Sequence, residues 1–297
     1  MTYIQPSLNS DLDSLQNLPG WVSSIRAETS EDMAFLSGGA LAALHVVLTR
    51  ATVPHALLRE RLALRAAESC LALAGRPEQT AAMRDEVHML RPGDQPGPAG
   101  AVFQQWRRSV ARPISVATLK RALPETFANH LPGWLRGGRG GPVARAAQVL
   151  QTVLTECPGE DTVALILADS ALARAVGWDH ALPLLAAGLT GRDLRQTGAD
   201  LRLACHRSIV TSADQAATTA SDLARRTAKL KAVTPKLRAK AAGPAVQMFL
   251  TKDALSPSVA LSGIMSDRAA RRLCDRLVDL GAVRELTGRD TFRLYGV

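Results

Sequence analysis

Apolar residues recur at three- and four-residue intervals along most of the chain, the spacing that places them on one side of an α-helix. The stretch from Thr29 to Arg50 shows the pattern: Thr29 and Ser30 are N-cap candidates, and the acids Glu31 and Asp32 follow in the first turn. Its apolar positions include Phe35, Leu36, Leu41 and Leu44. Similar runs elsewhere predict a compact bundle of eight or more helices.

Proline and glycine mark where these helices begin and end. Pro54 precedes a helical run that stops before Gly75, and Pro142 opens another after a glycine-rich turn. Residues 91–100, with three prolines and three glycines, form the clearest internal loop. The longest helical run extends over residues 199–233.

A different pattern begins after Gly243, where three short helical segments precede two β-compatible runs. The third segment starts at Ser266, a good N-cap, and ends before Gly281, a good C′ residue. The β-compatible runs, 283–286 and 291–295, flank a glycine-containing turn. Three helices followed by a hairpin is the plan of a winged helix-turn-helix. The hairpin residues expected to anchor on the helices are Val283, Leu286, Phe292 and Leu294.

The predicted fold class is mostly α: a helical-bundle body with a small C-terminal winged helix-turn-helix of three helices and a β-hairpin. Hydrophobic residues make up 46% of the chain and aromatic residues only 4%, which favours helices packed closely through Ala and Leu. We divide the chain into a flexible N-terminal arm at 1–20, an α-helical body at 21–224, a basic connector at 225–243 and the winged helix-turn-helix domain at 244–297.

The charge is concentrated at one end of the chain. Residues 1–222 carry 21 basic and 21 acidic residues, whereas residues 223–297 carry 15 basic and 6 acidic ones, so the whole net charge of +9 lies in the last quarter. This asymmetry favours a polyanionic partner, either nucleic acid or an acidic membrane surface, over a solubilising charge excess. The connector suits phosphate contacts, although it could equally be a solvated linker. Its basic residues are Arg225, Arg226, Lys229, Lys231, Lys236, Arg238 and Lys240.

Catalytic and metal-binding patterns are weak. The six histidines show no HExxH-type spacing, the four cysteines contain no CxxC pair, and the glycine-rich stretch at 136–142 lacks the Lys-Ser/Thr ending of a phosphate-binding loop. Asp179 and His180 form one of two acid–histidine clusters, but a helix cap explains them more simply. We therefore expect no catalytic residue, no metal and no cofactor.

The N-terminal residues lack the basic and apolar regions of a secretory signal, and no uncharged apolar run reaches 18 residues. These features predict a cytoplasmic protein without a membrane partner, located at the nucleoid if it binds DNA.

The segment 266–297 resembles the winged-helix tails of several bacterial families, including those that follow Fic-type domains. The shared positions are Ser266, Ala269, Leu273, Gly281, Glu285, Thr287, Gly288, Arg293 and Tyr295, with Leu277 slightly out of step. The Fic phosphate-loop signature is absent, so the resemblance covers the tail alone.

The body carries the strings "EDMAFLSGGALAALHVVL", "RLALRAAESCLALAGRPE", "LRPGDQPGPAG", "GWDHALPLLAAGL" and "DLRLACHR". From about Leu18 onward the chain is similar to an alphaproteobacterial family, often plasmid-borne, called domain of unknown function 1403. The resemblance implies a bacterial, non-secreted protein and supplies no catalytic residues.

We hypothesise that the chain is a DNA-binding transcriptional or replicon-maintenance factor, with its third C-terminal helix in the major groove of double-stranded DNA. The neutral body would supply contacts to a second copy or a protein partner. The candidate DNA-binding residues are Ser266, Arg268, Arg271, Arg272, Arg276, Arg284, Arg289 and Arg293.

Two alternatives stay open. The C-terminal domain could be a protein-interaction or dimerisation module, since Asp267, Asp275 and Asp279 can pair with its own arginines. An enzyme would require polar groups that converge on a cleft in the helical body, with Asp179 and His180 as the candidates.

Overall fold

Fourteen α-helices dominate the part of the chain that the computed structural model describes, residues 18–91, 93–237 and 241–297. The expectation of a mostly helical protein is confirmed. The helices are α1 (Gly20–Ser24), α2 (Ser30–Leu48), α3 (His55–Leu73), α4 (Thr80–His88), α5 (Pro98–Val110), α6 (Val116–Ala122), α7 (Leu131–Arg136), α8 (Pro142–Glu156), α9 (Asp161–Ala175), α10 (Leu185–Gly188), α11 (Gly198–Val233), α12 (Ala242–Phe249), α13 (Pro257–Ala260) and α14 (Asp267–Asp279).

The remaining regular structure is short. Two strands, β1 (Arg284–Glu285) and β2 (Tyr295–Gly296), form an antiparallel pair, in which Arg284 lies opposite Gly296. Leu255, between α12 and α13, forms an isolated antiparallel bridge with Tyr295. Short 3₁₀ turns occur at Glu125–Phe127, Asp193–Arg195 and Thr234–Lys236.

The N-terminal arm predicted at 1–20 lies largely outside the described residues, which begin at Leu18. Leu18 is buried in the hydrophobic core, and α1 starts at Gly20.

The helix boundaries follow local sequence signals. Thr29 caps α2 in a reciprocal box with Asp32, each side chain accepting from the other residue's backbone N–H. Gly75 follows α3 with φ +72°, a conformation that favours glycine. The Thr29 cap and the helix end at Gly75 were predicted from the sequence and are confirmed, whereas the reciprocal bond with Asp32 was not predicted.

Helix α9 is the centre of the body. Every residue from Val163 to Ala173 is buried, as expected for a helix that other elements surround on all sides. Helix α8 packs along α9, α2 packs along α11, and α3 packs against α5.

A single carboxylate, Asp169, is fully buried within this central helix. It accepts backbone hydrogen bonds from Leu184 (3.0 Å), Leu185 (2.8 Å) and Ala186 (3.2 Å) at the start of α10. Burial raises the pKa of Asp169 to about 7, although the three N–H donors act in the opposite direction. The carboxylate therefore joins α9 to α10 by satisfying amides that would otherwise be buried without acceptors.

The longest helix, α11, joins the body to the C-terminal segment, by which we mean residues 242–297. Its 36 residues end at Val233, where the helical run in the sequence was predicted to end. Residues 225–233 of the predicted basic connector complete α11, and buried Thr227 and Leu230 tie them to the core. Lys236 lies in the following 3₁₀ turn, whereas Arg238 and Lys240 are outside the described residues.

Helix α2 is apolar and long enough to cross a membrane by length and composition alone. Here it packs along α11 through Leu36, Ala40 and Leu44, while Phe35 and Val46 stay exposed on its other side.

Candidate nucleic-acid interface

Helix α14 separates apolar from charged residues cleanly. Ala270, Leu273, Cys274 and Leu277 are buried, and the opposite side is exposed. The hydroxyl of Ser266 accepts from the backbone N–H of Ala269 at 3.4 Å and caps the first turn. Gly281 follows the helix with φ +61°. The predicted start and end of this helix are confirmed.

Three arginines form what we call the arginine stripe: Arg268, Arg272 and Arg276. They are exposed and spaced four residues apart, so they follow one another along one face of α14. Within the described part of the chain, none of the three forms a hydrogen bond or ion pair with another side chain. The stripe thus presents three uncompensated positive charges to solvent.

The other predicted DNA-binding arginines are placed differently. Arg271 forms an ion pair with Asp267 at 2.7 Å within α14. Arg289 was expected at the tip of the hairpin with its charge free for phosphate. Instead its two terminal nitrogens donate to the two carboxylate oxygens of Asp85 in α4, each at 2.8 Å.

Arg293 is tied to the turn, since its Nε donates to the carbonyl oxygen of Arg289 at 2.7 Å. Arg284, in β1, is exposed; partial burial lowers its pKa, and the charge of Arg226 in α11 lowers it further. Carboxylates therefore offset the charge of Arg271 and Arg289 within the predicted set.

The hairpin is shorter than predicted. Glu285 closes its turn by accepting from the backbone N–H groups of Thr287 and Gly288 and from the Thr287 hydroxyl. Val283 and Leu294 are buried as predicted and Leu286 is half-buried, but Phe292 was wrongly expected to be an anchor: its side chain is 72% exposed. Phe292 has a φ of +54°, and in this turn of the chain Tyr295, rather than Phe292, is the aromatic residue that is buried.

Tyr295 links the hairpin to α14. Its hydroxyl donates to Asp275 at 3.1 Å, and its backbone exchanges hydrogen bonds with Leu255 at 2.8 and 3.0 Å. The loop before α13, the C-terminal end of α14 and the hairpin are thereby held together.

The basic end of α11 lies beside the C-terminal end of α14. A Cβ added at Gly281 would be 2.8 Å from Nζ of Lys229, so the lysine lies against this turn, where a cation suits the helix dipole. Arg225 and Arg226 both pair with Asp222 at 2.6 Å, which offsets part of their charge.

A buried cluster of charges, which we call the junction, fixes the C-terminal segment to the body. Asp253, with a side chain 0% exposed, pairs with Arg61 at 2.5 Å and with Arg84 at 2.6 Å. Glu60 pairs with Arg107 at 2.9 Å and accepts from the backbone N–H of Asp253 at 3.4 Å. Burial alone raises the pKa of Asp253, but the two arginines outweigh it and leave that pKa below its usual range.

His88, at the end of α4, lies next to this junction. Burial and then the charge of Arg107 lower the pKa of His88 from 6.5 to about 4. The unfolded chain therefore takes up a proton between pH 6.5 and pH 4 that the folded protein does not, so acidification through this window destabilises the fold.

We expect the free energy of unfolding to fall by about 2 kcal/mol between pH 8 and pH 5 because of His88 alone. Urea unfolding at both pH values measures the change in the wild type and in His88→Gln. The variant should lose about that much of the pH dependence; what is left comes from the other histidines and from Asp169, whose raised pKa acts in the opposite direction over this range. An identical pH dependence in the two proteins would contradict the assignment.

The structure also contains a cavity around Asp179 and His180, the two residues that the sequence pattern explains more simply as a helix cap. Asp179 and His180 line a cleft of about 280 Å³ together with His45, His55, Arg59 and Trp178. No sequence spacing joins these residues, because they come from α2, α3 and the loop after α9.

Metal or thiol chemistry has little support. Among the described residues no group of His, Cys, Asp or Glu side chains is arranged to hold a metal ion. Cys70, Cys205 and Cys274 are buried, and burial raises the pKa of Cys70 to about 11 and those of Cys205 and Cys274 to about 12. These three thiols are therefore poor nucleophiles at neutral pH. Cys157 is half-buried.

Comparison with known proteins assigns a family. No curated protein matches the chain. The family described as "Protein of unknown function (DUF1403)" matches residues 6–297, and the chain belongs to it.

Proposed function

We propose that this member of the family binds double-stranded DNA through the arginine stripe of α14, with the C-terminal segment acting as a winged helix-turn-helix. The observation that carries the proposal is the stripe itself: three exposed arginines on one face of a capped helix, without acidic partners in the described part of the chain. Arginine in this arrangement reaches guanine edges and phosphates in the major groove.

The order of the elements supports a winged helix. Helix α12, the bridge at Leu255, α13, α14 and the β1–β2 hairpin follow one another, and β2 pairs with both β1 and Leu255. A hairpin packed beside the third of three helices is the arrangement in which that helix reads DNA and the hairpin contacts the backbone. The Ser266-capped N-terminus adds exposed backbone donors suited to a phosphate.

Charge in neighbouring elements supports the same partner. Lys229 of α11 lies at the end of α14, and Arg284 follows in β1. A transcriptional or replicon-maintenance role, in the cytoplasm at the nucleoid, would place the protein on DNA, with the body free to contact a second copy or another protein.

Replacing Arg268, Arg272 and Arg276 together with alanine should weaken binding to duplex DNA about a hundredfold at low salt, since three charge-assisted contacts are lost. The slope of log K against log salt concentration should become shallower by about three. Fluorescence anisotropy with a labelled duplex, titrated at several salt concentrations, measures both quantities.

The matched control removes three exposed arginines from the body, Arg121, Arg192 and Arg207, and leaves α14 intact. Both triple variants lower the net charge by the same amount. Unchanged DNA affinity in the control would therefore show that the loss in the first variant comes from the arginine stripe and not from the lower net charge. No DNA affinity in the wild type, or equal losses in both triple variants, would overturn the proposal.

A protein-interaction role is the second candidate, and Phe292 favours it. This exposed ring lies at a cleft of about 330 Å³ between α13, α14 and the hairpin, which Arg271 and Asp275 also line. That role predicts a complex that survives nuclease treatment and is weakened by Phe292→Ser but not by loss of the stripe.

A further inference from the structure

The cleft on the body around Arg59 is built by three elements that meet at one corner. The end of α2 contributes His45, the first two turns of α3 contribute His55 and Arg59, and the loop after α9 contributes Trp178 and His180. Its volume, about 280 Å³, is close to the lower limit of small-molecule sites.

Gly177 directs the loop into this corner. Its φ of +78° ends α9, and the N–H of Trp178 bonds back to the carbonyl of Ala173 at 2.8 Å, which closes the helix end in a Schellman-type turn. The N–H of Ile114 donates to the carbonyl of Asp179 at 2.8 Å and holds the far side of the loop. The cleft is therefore formed by a fixed backbone.

Arg59 supplies a positive charge that has no carboxylate partner among the described residues. Its Nε is buried and has no hydrogen-bond partner in the described part of the chain, and burial lowers its pKa. This Nε has almost no accessible surface, so a ligand in the cleft would pair with the terminal nitrogens of Arg59, for which no acceptor is found among the described residues.

Two histidines, His55 and His180, lie near Arg59. His55 lies one turn before Arg59 on the same face of α3, and its ring bonds to the backbone of Arg50. Burial and the nearby charge of Arg59 lower the pKa of His55 and of His180, so both rings are neutral donors or acceptors at neutral pH. An anion beside them would favour their protonated forms.

Trp178 forms the aromatic wall and orients the third histidine. Its Nε1–H donates to Nδ1 of His45 at 3.0 Å, so the ring proton of neutral His45 resides on Nε2. The apolar side chains of Leu48, Leu58 and Leu182 line the same cleft.

Asp179, the carboxylate in the cleft, does not neutralise the charge of Arg59. Asp179 is exposed to water, and its charge acts on His180, whose pKa it raises against the larger effects of burial and Arg59. Water screens this carboxylate, and within the described residues it forms no ion pair with Arg59.

We propose that this cleft binds a small organic anion, whose phosphate or carboxylate head group pairs with Arg59 and whose apolar body lies against Trp178. The planar guanidinium matches either head group with two parallel hydrogen bonds.

Isothermal titration of the full-length protein tests the proposal with four probes: phenyl phosphate, benzoate, inorganic phosphate and benzyl alcohol. We expect phenyl phosphate or benzoate to bind, the stronger of the two identifying the head group, and benzyl alcohol not to bind. Inorganic phosphate should bind more weakly than phenyl phosphate, because it lacks the apolar body. Failure of both organic anions, or equal binding of benzyl alcohol, overturns the proposal.

Arg59→Gln should weaken the preferred probe about tenfold to a hundredfold, the usual loss for a charge-assisted pair. Arg207→Gln, an equal charge change at an exposed position of α11, is the matched control and should bind normally. If Arg59→Gln does not fold by circular dichroism, His55→Gln replaces it with the same expectation in direction. Unchanged binding in the folded variant excludes Arg59 as the anion contact.

Discussion

Replacing Asp253 with alanine is expected to lower the free energy of unfolding by about 3 to 5 kcal/mol, because it leaves two arginines unpaired in a buried site. Arg61 and Arg84 have side chains only 18% and 15% exposed, and each places its Nε within 2.6 Å of the Asp253 carboxylate. Asp253 is the carboxylate that pairs with both arginines, whereas Glu60 pairs with Arg107 and the Val297 carbonyl accepts only a longer bond from Arg61, at 3.3 Å. Urea unfolding at pH 7, followed by circular dichroism, measures the loss.

The control is Asp85→Ala, which removes a more exposed ion pair between the body and the C-terminal segment. Asp85 and Arg289 are 30% and 42% exposed, so water replaces the lost partner and the cost should stay below about 1 kcal/mol. Equal losses of unfolding free energy in the two variants would mean that the buried junction stabilises the fold no more than an exposed ion pair does.

The second large effect is expected at Asp169, where alanine should lower the free energy of unfolding by about 3 to 4 kcal/mol. The substitution leaves the backbone N–H groups of Leu184, Leu185 and Ala186 without their acceptor inside the core. It also opens a small cavity beside α9. The same urea measurement applies.

Ser170→Ala provides the comparison at the neighbouring position. Ser170 is equally buried, but its hydroxyl donates only to the Ile166 carbonyl of its own helix, at 2.7 Å. Removing it should cost about 1 kcal/mol or less, since no backbone group loses its only partner. A cost for Asp169→Ala as small as this would contradict the linking role of the carboxylate.

Features specified by local hydrogen bonding could be predicted from the sequence. Thr29 and Ser266 cap their helices, and Gly75 and Gly281 end theirs, because a few adjacent residues determine each cap. The end of α11 at Val233 could also be predicted, because Pro235 follows two residues later and cannot continue the helix.

The pairing of charges could not be predicted in the same way. Arg84 and Asp253 are 169 residues apart, and Arg289 and Asp85 are 204 apart, so nothing in the local pattern joins them. Counting charges along the chain found the basic C-terminal region but not which arginines are already neutralised. The stripe on α14 became distinguishable from Arg271 and Arg289 only through the fold.

The cleft around Arg59 was missed because its parts are individually unremarkable. Asp179 and His180 looked like a helix cap, and Arg59 looked like any arginine on an amphipathic helix. What sets the site apart is an arginine without a carboxylate partner among the described residues, beside histidines from α2, α3 and the loop after α9, a property of packing rather than of spacing.

The length of α11 has a consequence for insertions and deletions. Its early part bonds to α2 through His206 and Ser37, at 2.6 Å, and its late part carries Lys229 against Gly281. Each residue of an α-helix advances about 1.5 Å and rotates about 100°, so adding one residue between these contacts would swing the far end away from its partner. The length of α11 therefore fixes both the distance and the relative rotation between its two ends. We expect insertions or deletions in this helix to be tolerated less well than substitutions of most of its exposed side chains.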